Sequence, residues 1–368
     1  MLVYIVIALL LSVLAGTYKY MDARSRQLSF WIVAFVFFFI AAFRGKDVDI
    51  DYVPCYQEFC DLTPLVTVMF DDFGRYFNAL PHQEFSFCFL VSVIKFFTNN
   101  PMPIVALTYA FFAVPVKMIG IKRLANEEIF GLALLTYFTN LFFLHEMTQM
   151  RAGLASAIFI YSLTALCDGD RKKYVLLNLF AFLIHRSAIC AIPFCLVNNK
   201  GMSFKLWFGL LFTIFAMALV NADPISVLLD YDVPILTYKL KEYLHYQKYT
   251  QFKMNPFNTF LMLQMLATIC LYWKRKLIEP HCPSFYLLMK ISVVSMMLFY
   301  FFIRIPVFAH RLNDYFACVQ IILLPLLIYA FKPKSAAAAI VVCMLWGIML
   351  VNLFYNHLLQ PYYLVFFD

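Results

Sequence analysis

The chain has 368 residues, 64% of them hydrophobic and 19% aromatic, with only 14% charged and a mean hydropathy of +0.79. No soluble fold can bury so much apolar surface, which excludes a water-soluble globular domain. The net charge of +8 sits in short segments between apolar runs, with no basic patch interleaved with aromatics; this excludes a nucleic-acid surface and points to contact with anionic lipid.

Apolar runs near the length of a bilayer-crossing helix recur at 2–14, 30–43, 104–121, 129–144, 155–167, 207–220, 257–273, 285–302, 321–331 and 335–354. The expected fold is all-α, a polytopic integral membrane protein of about 11–13 transmembrane or half-membrane helices. Residues 1–368 would form a single transmembrane domain with two extracytoplasmic loops. The first run has no basic residue before it and no small-residue cleavage pattern after it, so it reads as a retained span.

Lys and Arg set the expected orientation. Lys19/Arg24/Arg26, Lys122/Arg123, Arg171/Lys172/Lys173, Lys200/Lys205, Lys274/Arg275/Lys276 and Lys332/Lys334 lie in short loops, which the positive-inside rule assigns to the cytoplasm. The segment 44–84 carries eight acids against three bases, Arg44, Lys46 and Arg75, and is assigned outside. A second outer loop follows at 221–256. Keeping every basic cluster inside requires the short run 85–97 to be re-entrant or interfacial. It also favours splitting 174–197 into two short helices with His185 and Arg186 at the turn, the alternative being one span with a polar kink. Broken helices occur where the turn lines a cavity or packs in protein.

This topology collects Arg44, the acidic loop, Glu84, His145, Glu146, Gln149, Arg151, His185, Arg186, Arg304, His310, Arg311 and Asp314 at the outer side. Ionisable groups near a bilayer are expensive and mark substrate paths. The lysines of the second loop, Lys239, Lys241, Lys248 and Lys253, read more simply as snorkelling to the headgroups. Arginines converging on an outward cavity would recognise an anion, because the planar guanidinium matches phosphate oxygens and keeps its charge. In a membrane enzyme that anion is most naturally a lipid phosphate or pyrophosphate. Nearby carboxylates and a histidine supply candidates for a general base toward a sugar hydroxyl.

Other patterns carry less. Asp47, Asp49 and Asp51 alternate as in some hard-cation loops, yet lack the glycine and closing Glu of an EF-hand, and we expect neither a metal nor another cofactor. Most of the ten cysteines lie inside apolar runs; Cys55 and Cys60 share the first outer loop and are the two that could pair in an oxidising compartment. An amphipathic, Tyr-rich pattern over 234–249 fits either a plain interfacial helix or a saccharide-guiding lid. The closing HLLQPYYLVFFD reads as an aromatic interfacial anchor.

The runs AFRGKDVDIDYVPCYQEF, QEFSFCFLVSVIKFFTNNP, TQMRAGLASAIFIYSL, DGDRKKYVLLNLFAFLIHRSAI and HRLNDYFACVQIILLP, in this order, resemble the motif set of the EpsG-like branch of Wzy-type polysaccharide polymerases. The resemblance covers roughly 1–330. It implies a glycosyltransferase in the bacterial cytoplasmic membrane that polymerises undecaprenyl-pyrophosphate-linked repeat units on the outer face, for O antigen, capsule or exopolysaccharide. By position it implies that Arg44, Arg151 and Arg311 hold pyrophosphate and that Asp51 with Tyr52 matches the acidic loop; Arg304, Tyr52, Gln149 and Tyr315 are the candidates for further substrate contacts. Asp49, Asp51, Glu84 and His185 are the catalytic candidates. A chain-length regulator and a flippase are the implied partners beside membrane lipid and the lipid-linked oligosaccharide. Two departures are visible: Ala152 stands where the family commonly has Gln after the second arginine, with Gln149 upstream, and Asp-Ile-Asp replaces the usual Gly-Thr-Asp, leaving Asp49 and Asp51 unranked. The competing classes are a flippase or transporter of lipid-linked oligosaccharides, which would need cationic groups reaching both faces, and an outer-leaflet ligase or acyltransferase.

Overall fold

A computed structural model of the chain describes residues 1–79, 84–220, 222 and 254–367, and among them the structure is helical with no strand. The pattern expected at 234–249 lies outside the described residues. In chain order the helices are α1 (Leu2–Thr17), α2 (Ala23–Ala42), the short α3 (Glu58–Leu62), α4 (Val66–Asp71) and α5 (Phe73–Ala79), then α6 (Phe85–Ile94), α7 (Met102–Leu124), α8 (Phe130–Thr136), α9 (Met150–Cys167), α10 (Arg171–Ile184), α11 (Phe204–Leu219), α12 (Thr259–Trp273), α13 (Arg275–Ile278), α14 (Phe285–Phe301), α15 (Pro306–Ala317), α16 (Gln320–Leu323) and α17 (Lys334–Leu350). Among the described residues, five helical stretches are long and apolar enough to cross a membrane, and up to seven if each of two bent helix pairs counts as one span. Four further apolar helices among the described residues, including α6 and Arg186–Leu196, are too short to cross alone. The chain is therefore an all-α polytopic membrane protein.

Helix ends follow local chemistry. Asp22, Asp170 and Asn258 turn their side chains back onto backbone N–H groups at the starts of α2, α10 and α12, satisfying donors that the helix cannot. Helix α10 ends at Ile184, where His185 takes an extended conformation (φ −148°, ψ 123°) before the 3₁₀ segment Arg186–Leu196 begins. The chain thus breaks at the His185/Arg186 turn, where two short helices were expected. Helix α8 runs on into the π-helical segment Tyr137–Thr148, whose wider turn buries both His145 and Glu146.

The chain forms two compact units, Met1–Cys195 with Phe331–Asp368, and Leu196–Ala330. In the first, α7 packs on α2 and α9, and α9 on α10. The second is built on α14, which packs against α11, α12 and α15. Several of its interior polar groups pair with one another: Gln264 donates to Ser295 Oγ at 2.7 Å, Gln320 to Ser292 Oγ at 2.7 Å, and the Lys290 ammonium donates to Asn198 O, Asn198 Oδ1 and Lys200 O at 2.8–2.9 Å. These bonds make a buried lysine tolerable and give it a bracing role.

Candidate active site

Three helix ends of the first unit meet at one ionic cluster. Glu84 precedes α6, Arg151 lies in the first turn of α9, and His185 follows α10. One carboxylate oxygen of Glu84 accepts from Arg151 Nη1, and the other lies 3.1 Å from His185 Nδ1. Arginine at a helix N-terminus opposes the helix dipole, so Arg151 is not placed there to stabilise α9. Glu84, at the N-cap position of α6, makes no capping bond; its carboxylate is given to the other two residues instead. Burial works to raise the Glu84 carboxyl, but the hydrogen bond from His185 and the charge of Arg151 overcome it and hold the group well below the usual carboxylate range. The Arg151 guanidinium also stands 5.4 Å from the Tyr56 ring centroid and 5.1 Å from that of Phe87. Burial, aided by Asp51 and Asp49 and opposed by Arg151, pushes the Tyr56 phenol up to about 12, so it remains neutral.

A second ion pair closes the start of the acidic loop. Arg44 Nε donates to Asp49 Oδ2 at 2.7 Å with both side chains fully buried, and Arg44 Nη1 donates to the Ala41 carbonyl. The backbone N–H of Asp51 donates to Asp49 Oδ1 at 3.0 Å. Burial pushes the Asp49 carboxyl up, and Arg44 with the N–H groups of Asp51 and Tyr52 pulls it back. Arg44 Nη2 is buried with no hydrogen-bond partner among the described residues. The C-terminal tail forms the roof. It pairs antiparallel with this segment through the bridges Arg44↔Leu364 and Asp49↔Leu359, and Gly45 N donates to Tyr363 O at 3.0 Å. Gly45 makes room for the tail, since a Cβ would stand 2.0 Å from the Tyr363 ring and displace it. The tail is thus more than the interfacial anchor its aromatics suggested. Its backbone groups are paired by the loop rather than left to the interface.

Sequence reasoning passed over the third cluster. Lys117, in the middle of α7, donates to Glu146 Oε1, and both side chains are buried. His145 Nδ1 lies 3.4 Å from Lys117 Nζ and 3.2 Å from Ser156 Oγ. A lysine inside an apolar run was the signal available; Glu146 and His145 had been noted without it. Gly153 allows α9 to approach, because a Cβ there would stand 2.1 Å from the His145 carbonyl oxygen. Gly153→Ala is expected to lower stability by about 1–3 kcal/mol through forced separation of α9 from the π-helical segment, read as a drop in the thermal unfolding midpoint in detergent.

The remaining candidates are placed as follows. Tyr52 is buried beside Arg44, whose guanidinium stands 5.9 Å from its ring centroid. Asp51 is half-buried, and Gln149 is the non-helical hinge (φ −101°, ψ 57°) between the π-helical segment and α9. Asp47, Asp49 and Asp51 are splayed, Asp49 turning in to Arg44 while exposed Asp47 meets the Tyr363 hydroxyl. No group of three His, Cys, Asp or Glu suited to a metal gathers among the described residues. Cys60 is a free, buried thiol. In the second unit, Arg304 lies just before α15, while exposed Arg311 and buried Tyr315 lie within it.

The arrangement defines a multi-pass membrane protein with a part-buried arginine, carboxylate and histidine cluster where helix ends meet. The sequence profile of the EpsG family matches residues 27–364, and the chain belongs to that family. Membership points to a polysaccharide polymerase with a glycosyltransferase-like role. No curated protein and no solved structure matches the chain.

Proposed function

We propose that this protein polymerises undecaprenyl-pyrophosphate-linked oligosaccharide repeat units on the outer face of the bacterial cytoplasmic membrane. The observation that carries the reading is the Arg151–Glu84–His185 cluster. Glu84 is held ionised with both oxygens engaged, so it suits orienting better than accepting a proton. Its bond to Nδ1 fixes the His185 tautomer and leaves Nε2 as the base. In the transfer, the acceptor hydroxyl oxygen bonds to the anomeric carbon of the donor chain and its proton passes to His185 Nε2. The bond between that carbon and the pyrophosphate oxygen breaks, and the pyrophosphate leaves with the electron pair. Arg151 and the unspent Nη2 of Arg44 stabilise the charge that develops there.

Asp49 is spent on Arg44, which makes it a positioning group and leaves Asp51 the more accessible acid of the loop. Arg304, Arg311 and Tyr315 enter as phosphate and saccharide contacts on residue chemistry alone. Guanidinium groups supply the charge neutralisation that a divalent ion would otherwise give, so activity is expected to be metal-independent. The reading calls for a flippase to deliver the lipid-linked unit and a chain-length regulator to end growth.

The test is purified protein in lipid nanodiscs with the authentic lipid-linked repeat unit, with EDTA or with Mg²⁺. A ladder of lengthening chains in both conditions, absent from Arg151→Ala and His185→Ala, is the expected result. Absence of a ladder in both conditions with folded wild-type protein would overturn the reading.

A further inference from the structure

An apolar groove of about 320 Å³ opens beside the ionic cluster, walled chiefly by α6 and α7. Its α6 wall is the stripe Ser86, Phe89, Leu90 and Val93, spaced i, i+3, i+4 and i+7 so that all four share one helix face. Tyr109 and Phe112 face it from α7. Phe89 and Phe112 remain 40% and 50% exposed, so the groove is open to the surroundings of the helices. Two hydroxyls of the lining are spent: Ser86 donates to Leu183 O at 2.5 Å and Thr108 to Ile104 O at 2.7 Å. What remains is a wall that offers an occupant hydrocarbon contact and almost no hydrogen bonding.

One end of this wall is charged. Ser86 follows Glu84 by two residues on α6, the lining residue Ile184 directly precedes His185, and the lining residue Leu154 stands one turn after Arg151 on α9. The groove therefore continues from the cluster along α6 for about 10 Å, at 1.5 Å per residue. An arginine and a histidine at the mouth of a largely apolar groove fit an amphiphile with an anionic head and an apolar chain.

We infer that this groove holds the first isoprene units of the polyprenyl chain of the lipid-linked substrate, with its pyrophosphate at Arg151. The inference rests on the proposed polymerase reading for the identity of the chain. Seating the tail there fixes the distance from membrane to reacting carbon. It also lets the binding energy of a remote, unreactive part of the substrate orient the scissile bond.

The experiment uses the full chain in lipid nanodiscs and a polyprenyl pyrophosphate with a photoactivatable diazirine on its second isoprene unit. Labelled peptides are expected from 85–94 and 102–124, and excess unlabelled polyprenyl pyrophosphate should compete the label away. Leu90→Trp, which fills the groove, is expected to lower the labelling and raise the KM for the repeat unit, each about tenfold. Leu9→Trp, on the exposed face of α1, should change neither. Labelling spread over α1 and α17, unaffected by competitor, would mean ordinary bilayer lipid and overturn the inference, as would folded Leu90→Trp protein with unchanged labelling and KM. Groove labelling without a saccharide ladder would keep the groove and remove the polymerase reading. A ladder with dispersed labelling would do the reverse.

Discussion

Lys117→Met is expected to destabilise the protein by about 3–5 kcal/mol, the typical loss when one partner of a buried ion pair is removed. The reason is the group left behind. Glu146 is 2% exposed and Lys117 is its charge partner, so the methionine variant leaves a carboxylate in an apolar interior with no opposing charge. The pair also sets the π-helical segment, since His145 lies between Lys117 and Ser156. Lys117→Met combined with Glu146→Gln should recover most of the stability, because the uncompensated charge has gone while the side-chain volumes remain. Thermal unfolding of the single and double variants in detergent checks this. Equal losses in both would show that packing at α7 accounts for the effect, and no loss in either would show that the pair is idle. Because Gln149 and Arg151 follow the π-helical segment directly, the single variant should also reduce polymer formation beyond the fraction unfolded.

The features readable in the sequence are those with a local cause. Helices follow from apolar runs of bilayer length, and the break at His185 follows from a polar pair inside such a run. Glu84 was legible as the residue opening a short apolar helix, although its carboxylate turns out to serve Arg151 and His185. Lys117 was hidden because one lysine barely moves the average: the span Met102–Leu124 still has a window hydropathy of 1.9. Its partner Glu146 lies 29 positions away, beyond any helical periodicity. The pairing of Arg44 and Asp49 with the C-terminal tail joins opposite ends of the chain, and no residue of the tail announces it. Asp49 and Asp51 could not be ranked from spacing, because alternation places both on one side only in a straight strand. The segment instead turns, sending Asp49 inward and leaving Asp51 half-buried.

Glu84→Gln is expected to reduce polymerisation by about 10²–10⁴ fold while leaving the chain folded, the scale seen when the residue orienting a catalytic histidine loses its charge. Glutamine keeps the volume and one acceptor oxygen, but it no longer neutralises Arg151 or stabilises the imidazolium that forms as His185 takes the acceptor proton. His185→Ala should lose as much, and the double variant little more, because the two act as one unit. Fully additive losses would separate Glu84 from His185 and sink the assignment. The pH dependence gives an independent check. The folded-state carboxyl of Glu84 is held below its unfolded value, so its contribution to stability is fully present above the ordinary carboxylate range and is lost as pH falls through the lower folded value. The stability difference between wild type and Glu84→Gln should therefore stay constant from about pH 7 to pH 5 and shrink only below about pH 4.3, the unperturbed glutamate value. A difference that already shrinks between pH 7 and 5 would mean that Glu84 is protonated there, and that it, rather than His185, is placed to exchange the proton.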